Sequence, residues 1–146
     1  MRVLFATVLA VLGLAAAPAA TASPASPARG ALTVHDSPYG RILFDGRGFA
    51  LYAFTKDTPR GSNCGGGCAR RWPPYVIAGR PHAGAGVNSS LIGTVARGGG
   101  GLQATYAGRP LYRYVGDRRP FQVLCQNVRE FGGLWLVARP DGTLVR

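Results

Sequence analysis

The sequence predicts a mostly β protein: one compact domain built from two related β-hairpin units and a closing C-terminal hairpin. Three observations lead there. A short motif occurs twice, sixty positions apart, as Leu51-Tyr52-Ala53-Phe54-Thr55-Lys56-Asp57 and Leu111-Tyr112-Arg113-Tyr114-Val115-Gly116-Asp117. Glycine-bearing turns recur between short apolar runs, which is the pattern of hairpins. Helix signals are confined to one turn at Cys68-Ala69-Arg70-Arg71-Trp72, ended by Pro73-Pro74 because proline cannot extend the backbone ladder. Two copies in so short a chain point to two pieces sharing one core, since stacked arrays need at least about three units.

In chain order, residues 1–22 read as a cleavable signal. Arg2 gives the positive start, Val3 to Ala17 is apolar, and Ala20-Thr21-Ala22 is a small-x-small site with cleavage expected after Ala22. Fifteen apolar residues fall short of the roughly 20 a membrane-spanning helix needs. Residues 23–30 are rich in Pro, Ala and Ser and read as a flexible lead-in. That leaves 31–146 as the two-repeat domain, long enough for a modest core and short enough to gain from a disulfide.

The first unit runs from Arg41-Ile42-Leu43-Phe44 through the turn Asp45-Gly46-Arg47-Gly48 into Phe49 to Phe54. The second runs from Leu91 to Val95, across the glycines 98–101, through Leu102 to Tyr106 and the turn Ala107-Gly108, and into Pro110 to Tyr114. Leu134 to Ala138, Pro140-Asp141-Gly142 and Thr143 to Val145 make the closing hairpin. Residues 79–86 read as a loop.

Charge narrows the partners. Sixteen of the seventeen basic residues are Arg, and losing the signal removes only Arg2, leaving sixteen cations against six acids and a net charge of +10. Such an exported protein is drawn to an anionic cell-wall polymer or a membrane surface by a field that salt screens. The arginines are scattered through turns and strand ends, with no basic recognition helix, so no nucleic acid partner is expected.

Along a strand, alternation places Tyr52 and Phe54 on one face and pairs Tyr112 with Tyr114 in the same way. Asp57 and Asp117 follow where each strand ends. A carboxylate there can close a turn by accepting N–H bonds, or anchor an Arg or a Tyr hydroxyl. The rings could form a binding platform for a sugar, a quinone-like ring or a cation. A structural role is preferred, because aromatics are the main apolar content of a small β domain. The expected core is Tyr52, Phe54, Trp72, Tyr112, Tyr114 and Trp135.

These motifs, together with Cys64-x-x-x-Cys68-Ala69-x-x-Trp72-Pro73-Pro74 and Gly132-Gly133-Leu134-Trp135 before Pro140-Asp141-Gly142, resemble a bacterial secreted or lipoprotein repeat family named for its Tyr-x-[Phe/Trp/Tyr]-x-x-Asp motif. The resemblance covers about residues 39–143. It implies an exported, mostly β domain with no established chemistry or ligand. Many members carry a lipid-accepting Cys at the mature start, where this chain has Ser23.

Three cysteines in an exported chain permit a disulfide. Loop entropy favours Cys64 with Cys125, at roughly 4 kcal/mol against roughly 2 for the five-residue loop Cys64 to Cys68. Proximity across the flexible Gly65-Gly66-Gly67 spacer and the paired-Cys pattern of the family favour Cys64 with Cys68. Cys125 is then a free thiol, expected as a small buried residue on an alternating run with Phe121 and Val123. His35 and His82 are the only histidines and read as exposed loop residues, so no metal site is expected. No Gly-x-Ser-x-Gly elbow or Lys-Ser/Thr phosphate loop occurs, and no catalytic residue or cofactor is assigned.

The sequence therefore reads as a secreted, non-enzymatic cell-envelope protein that is structural or binds a ligand, with an anionic wall polymer as the candidate. The alternative is an exported redox or metal-handling module using Cys64, Cys68 and Cys125.

Overall fold

The computed structural model describes residues 30–146. The expected signal and all but the last residue of the expected lead-in lie outside the described residues. Among the described residues no helix is long and apolar enough to cross a membrane.

The strands are β1 (Ala31–His35), β2 (Ile42–Asp45), β3 (Tyr52–Phe54), β4 (Val76–Ile77), β5 (His82–Ala83), β6 (Ile92–Ala96), β7 (Leu102–Tyr106), β8 (Arg109–Tyr112), β9 (Val128–Glu130) and β10 (Gly133–Val137), with helix α1 (Gly66–Arg71) between β3 and β4. A small sheet has the order β2-β1-β5. A seven-stranded sheet has the order β4-β7-β8-β3-β10-β9, with β6 also paired to β7.

The expected turns explain the connections. Between β7 and β8, Ala107 and Gly108 both take positive φ, at 48° and 73°, as a two-residue primed turn requires. The turn after β2 closes with Gly48 N–H donating to Asp45 O at 2.9 Å and Asp45 N–H to Phe49 O at 2.8 Å. The two arms of that first hairpin then separate after the bridge between Phe44 and Ala50. β2 keeps β1 as its partner, while β3 is enclosed by β8 and β10. The closing hairpin is held by the bridge between Ala138 and Leu144.

Four expectations need correction. The helical turn begins at Gly66 and ends at Arg71, rather than covering Cys68 to Trp72, with Cys68 N–H donating to Gly65 O at 3.0 Å. The run Phe121 to Cys125 is a loop, not an alternating strand: Phe121 sits at φ 63°, and Leu124 N–H is taken by the carboxylate of Asp117. Strand β8 ends at Tyr112, so Tyr114 does not follow it into the interior and is only half-buried. Within the expected 79–86 loop, His82 and Ala83 pair in parallel with Ala31 and Leu32.

Alternation along the strands feeds two apolar clusters. One contains Tyr52, Phe54, Tyr112, Trp72, Trp135 and Val137. The other contains Leu51, Leu111, Tyr75, Ala104, Tyr106 and Ala138. Successive residues of a strand point to opposite faces, so both faces of the motif strands are covered.

The duplication is an internal two-fold. Strands β3 and β8 pair antiparallel with Tyr52 opposite Tyr112, which places the local axis between those two residues. Equivalent bonds then appear on each side. Thr55 N–H donates to Leu134 O at 3.0 Å, and Val115 N–H donates to Arg71 O at 3.2 Å. Tyr52 faces Val137 as Tyr112 faces Pro74. Trp72 and Trp135 thus hold corresponding places in the two units.

Candidate functional site

The axis is occupied by rings. Trp72 and Trp135 stack with centroids 4.0 Å apart and planes 3° from parallel. Phe54 stacks on Trp135 at 4.3 Å, and Tyr114 covers Trp72 at 4.7 Å and a 38° tilt. Tyr52 meets Trp72 edge-on at 5.2 Å, and Tyr112 meets Trp135 edge-on at 5.1 Å. The result is a four-ring column with two rings against its sides, in the offset and edge geometries that aromatic quadrupoles favour. Only Tyr114 is partly open to solvent, so the expected core is found except at that ring.

The motif's polar atoms cross between the repeats. Tyr52 hydroxyl donates to Asp117 Oδ2 at 2.7 Å, and Tyr112 hydroxyl donates to Asp57 Oδ2 at 2.6 Å. Each aspartate also fixes its own following loop, Asp57 accepting from Asn63 N–H at 2.6 Å and Asp117 from Leu124 N–H at 3.0 Å. Neither unit can satisfy its own tyrosine. The spacing of the motif therefore reflects a reciprocal lock between the repeats.

The two locks differ in their surroundings. Around Tyr112, Ser62 Oγ lies 2.5 Å from the hydroxyl, and Arg97 donates to Ser62 Oγ, Gln103 Oε1 and Cys64 O at 2.7, 2.8 and 2.9 Å. Asp57 is half-buried, whereas Asp117 is 5% exposed. Sequence reasoning missed Ser62, Arg97 and Gln103, because nothing in their local spacing marks them as partners of a distant tyrosine.

Burial shapes the acid–base behaviour. It pushes the Tyr52 and Tyr112 hydroxyls up, and their aspartate partners add to the rise. Tyr75 is pushed up to about 12, again first by burial and then by Asp45. Asp57 and Asp117 are also raised by burial, against the lowering effect of the tyrosine and backbone donors. As pH falls, the folded protein takes up these two carboxyl protons before the unfolded chain does, so the pair adds stability on acidification.

At high pH the slope has the same sign. Tyr52, Tyr75, Tyr106, Tyr112 and Tyr114 are all raised above 10.0. The unfolded chain then loses its phenolic protons first, and stability falls as pH climbs through and beyond that value. Tyrosinate absorbance from the four enclosed residues Tyr52, Tyr75, Tyr106 and Tyr112 should rise together with loss of the near-ultraviolet circular dichroism of the ring column. Ionisation well ahead of unfolding would contradict that buried arrangement.

The same two-fold generates a pair of clefts. Phe54, Thr55, Asp57, Ala107 and Arg109 line one of about 300 Å³, which Arg146 also borders. Their counterparts sixty positions away, Tyr114, Val115, Asp117, Arg47 and Phe49, line another of about 210 Å³, bordered by Arg113. Arg47 and Arg113 also border a third hollow of about 450 Å³ that contains Asp45. Arg113 pairs with the buried Asp45 carboxylate and lies over the Tyr75 ring at 4.8 Å. The motif residues thus form the inner walls of the paired clefts rather than an exposed ring platform.

Cys64 and Cys68 form the disulfide, and both are buried against Trp72 in the first cluster. Cys125 keeps a free thiol and is half-buried beside that cluster rather than enclosed. Burial raises its thiol above the ordinary value. His35 and His82 are exposed, but both lie on strands rather than loops, and the His35 ring contacts Phe44 and Phe121. Among the described residues no three His, Cys, Asp or Glu side chains converge as a metal-ligand set.

Comparison with known families decides the identity. The model of a family described as a secreted repeat of unknown function matches residues 33–75 and again 93–139. The chain belongs to this secreted repeat family. The two matched segments coincide with the two halves related by the internal axis, each ending beyond its tryptophan. No curated protein and no solved structure matches the chain.

Proposed function

We propose that this secreted repeat protein acts in the cell envelope as a non-enzymatic binder of an anionic wall polymer. One observation carries the reading: four of the six acidic groups are engaged inside the protein, with only Asp36 and Asp141 exposed, while most of the arginines form no ion pair among the described residues. Asp45 and Asp117 are buried, and Asp57 and Glu130 accept bonds from Tyr112 and Trp72. Among the described residues only two ion pairs form, Arg71 with Glu130 and Arg113 with Asp45. The mature protein's net charge of +10 therefore favours attraction of a polyanion through an ionic-strength-dependent field.

The paired clefts give that attraction two equivalent places to act, which suits a ligand with repeating units. Binding two sites on one chain raises avidity without any new contact. The redox or metal-handling alternative through Cys64, Cys68 and Cys125 is not adopted, since the Cys64–Cys68 bridge takes two of the three thiolates from any metal and is buried at 1% and 7% exposure, away from thiol exchange.

Retention of the mature protein on an acidic polysaccharide matrix tests the proposal. Elution should move to higher salt than for a neutral matrix, and Arg109→Gln with Arg146→Gln should shift elution to lower salt. Absence of salt-sensitive retention would overturn it.

A further inference from the structure

We propose that the loop of residues 118–124, which follows the residues lining the second polymer-binding cleft, is a docking site for an anionic lipid bilayer. The internal two-fold supplies the comparison that reveals it. Both repeats place a loop after the motif aspartate, and both tie its far end back to that carboxylate, through Asn63 in the first and Leu124 in the second. The first loop, Thr58-Pro59-Arg60-Gly61-Ser62-Asn63, is polar. The second, Arg118-Arg119-Pro120-Phe121-Gln122-Val123-Leu124, is one residue longer and has gained apolar side chains and a second arginine.

Those apolar groups face water. Phe121 is 53% exposed and Leu124 57%, in a domain whose other large rings are mostly enclosed. Three contacts hold the loop in shape: Phe121 N–H to Gly48 O at 2.8 Å, Arg118 N–H to Gln122 Oε1 at 2.8 Å, and Gln122 N–H to Arg119 O at 3.3 Å. Phe121 is fixed at φ 63°, an unfavourable conformation for a bulky residue and one that glycine would adopt freely. A polar or small residue would serve the turn better, yet the position presents a phenyl ring.

The occupant follows from charge and apolar content together. Arg118 and Arg119 are exposed and form no ion pair among the described residues. The Asp117 carboxylate points inward to Tyr52. Apolar side chains able to enter the acyl boundary, next to cations at the headgroup level, match an anionic bilayer surface. A soluble polyanion would engage the arginines but has no phase to receive Phe121 and Leu124.

Flotation with vesicles of phosphatidylcholine, with and without phosphatidylglycerol, tests the site. The mature protein should float with the phosphatidylglycerol vesicles and remain unbound with phosphatidylcholine alone. Leu124→Ser and Phe121→Gly together should lower partition about tenfold or more, the scale expected for removing two inserted apolar side chains. Phe121→Gly gives up contact with His35 and Phe44 but relieves the backbone, so Tm should move little. Should that variant unfold, Leu124→Ser alone still decides, with a several-fold loss expected.

Arg60→Gln removes one charge from the equivalent polar loop and should leave partition within about twofold, while Arg118→Gln should weaken it more. Equal losses from Arg60→Gln and Arg118→Gln would overturn the proposal in favour of general charge attraction. Unchanged flotation of the Leu124→Ser variants, or an equal loss of their retention on acidic polysaccharide, would also overturn it.

Discussion

Trp135→Ala is expected to cost about 3–5 kcal/mol and lower Tm by about 10–30 °C, the largest effect of any single substitution in this protein. Trp135 is fully buried and touches both halves: it stacks on Phe54 and Trp72 and receives the edge of Tyr112. Alanine leaves a cavity at the junction of the repeats, and rings on three sides cannot collapse into it together. A domain of this size is stable by only about 5–15 kcal/mol, so the variant loses a large part of its margin. Trp72→Ala should be comparably damaging, since it also strips Glu130 of the indole N–H that donates to it at 2.8 Å. Urea denaturation checks both. A loss below about 1 kcal/mol at either position would show that the column does not join the halves.

Breaking the reciprocal locks should be the next most damaging change, and unequally so. Tyr52→Phe leaves the buried Asp117 Oδ2 without its donor and is expected to cost about 1–3 kcal/mol, the usual penalty for an orphaned buried acceptor. Tyr112→Phe should cost less. Asp57 is half-buried and still accepts from Asn63, and Ser62 keeps its bond from Arg97, so water can replace the lost hydroxyl. Double-mutant cycles with Asp117→Asn and Asp57→Asn isolate the two couplings. A larger coupling at Tyr112 and Asp57 would contradict the burial argument.

Much of the fold was legible in the sequence. The repeated motif, the turns at Asp45 to Gly48 and Ala107-Gly108, and the closing hairpin are local features whose residue types demand positive φ or alternation. The family match confirms two units and a secreted setting. The weak points were elements without local signals. β9 is Val128-Arg129-Glu130, a polar edge strand made by pairing with β10, and β5 is two residues held against β1. The extent of the first hairpin was misjudged because β3 finds better partners far away in the chain.

The candidate site was legible only in part. Tyr52, Phe54, Asp57, Tyr112, Tyr114 and Asp117 were singled out; the burial of Tyr52, Phe54 and Tyr112 follows from alternation, whereas Tyr114 and both aspartates lie past the strand ends. That each tyrosine bonds the aspartate of the other repeat was not legible, because partners 55 and 65 residues apart leave no spacing rule to read. Cys125 was expected inside a strand, but the carboxylate of Asp117 captures Leu124 N–H and holds that segment as a loop.

The sequence by itself determined the duplication, the β class, the turn positions and the cationic balance, because each depends on residue type or on neighbours a few positions apart. Only the tertiary structure decided which tyrosine serves which aspartate, that the two tryptophans stack on the local axis, and which apolar residues stay in water. Those outcomes depend on antiparallel pairing of β3 with β8, a long-range register that brings together groups the chain keeps about sixty residues apart.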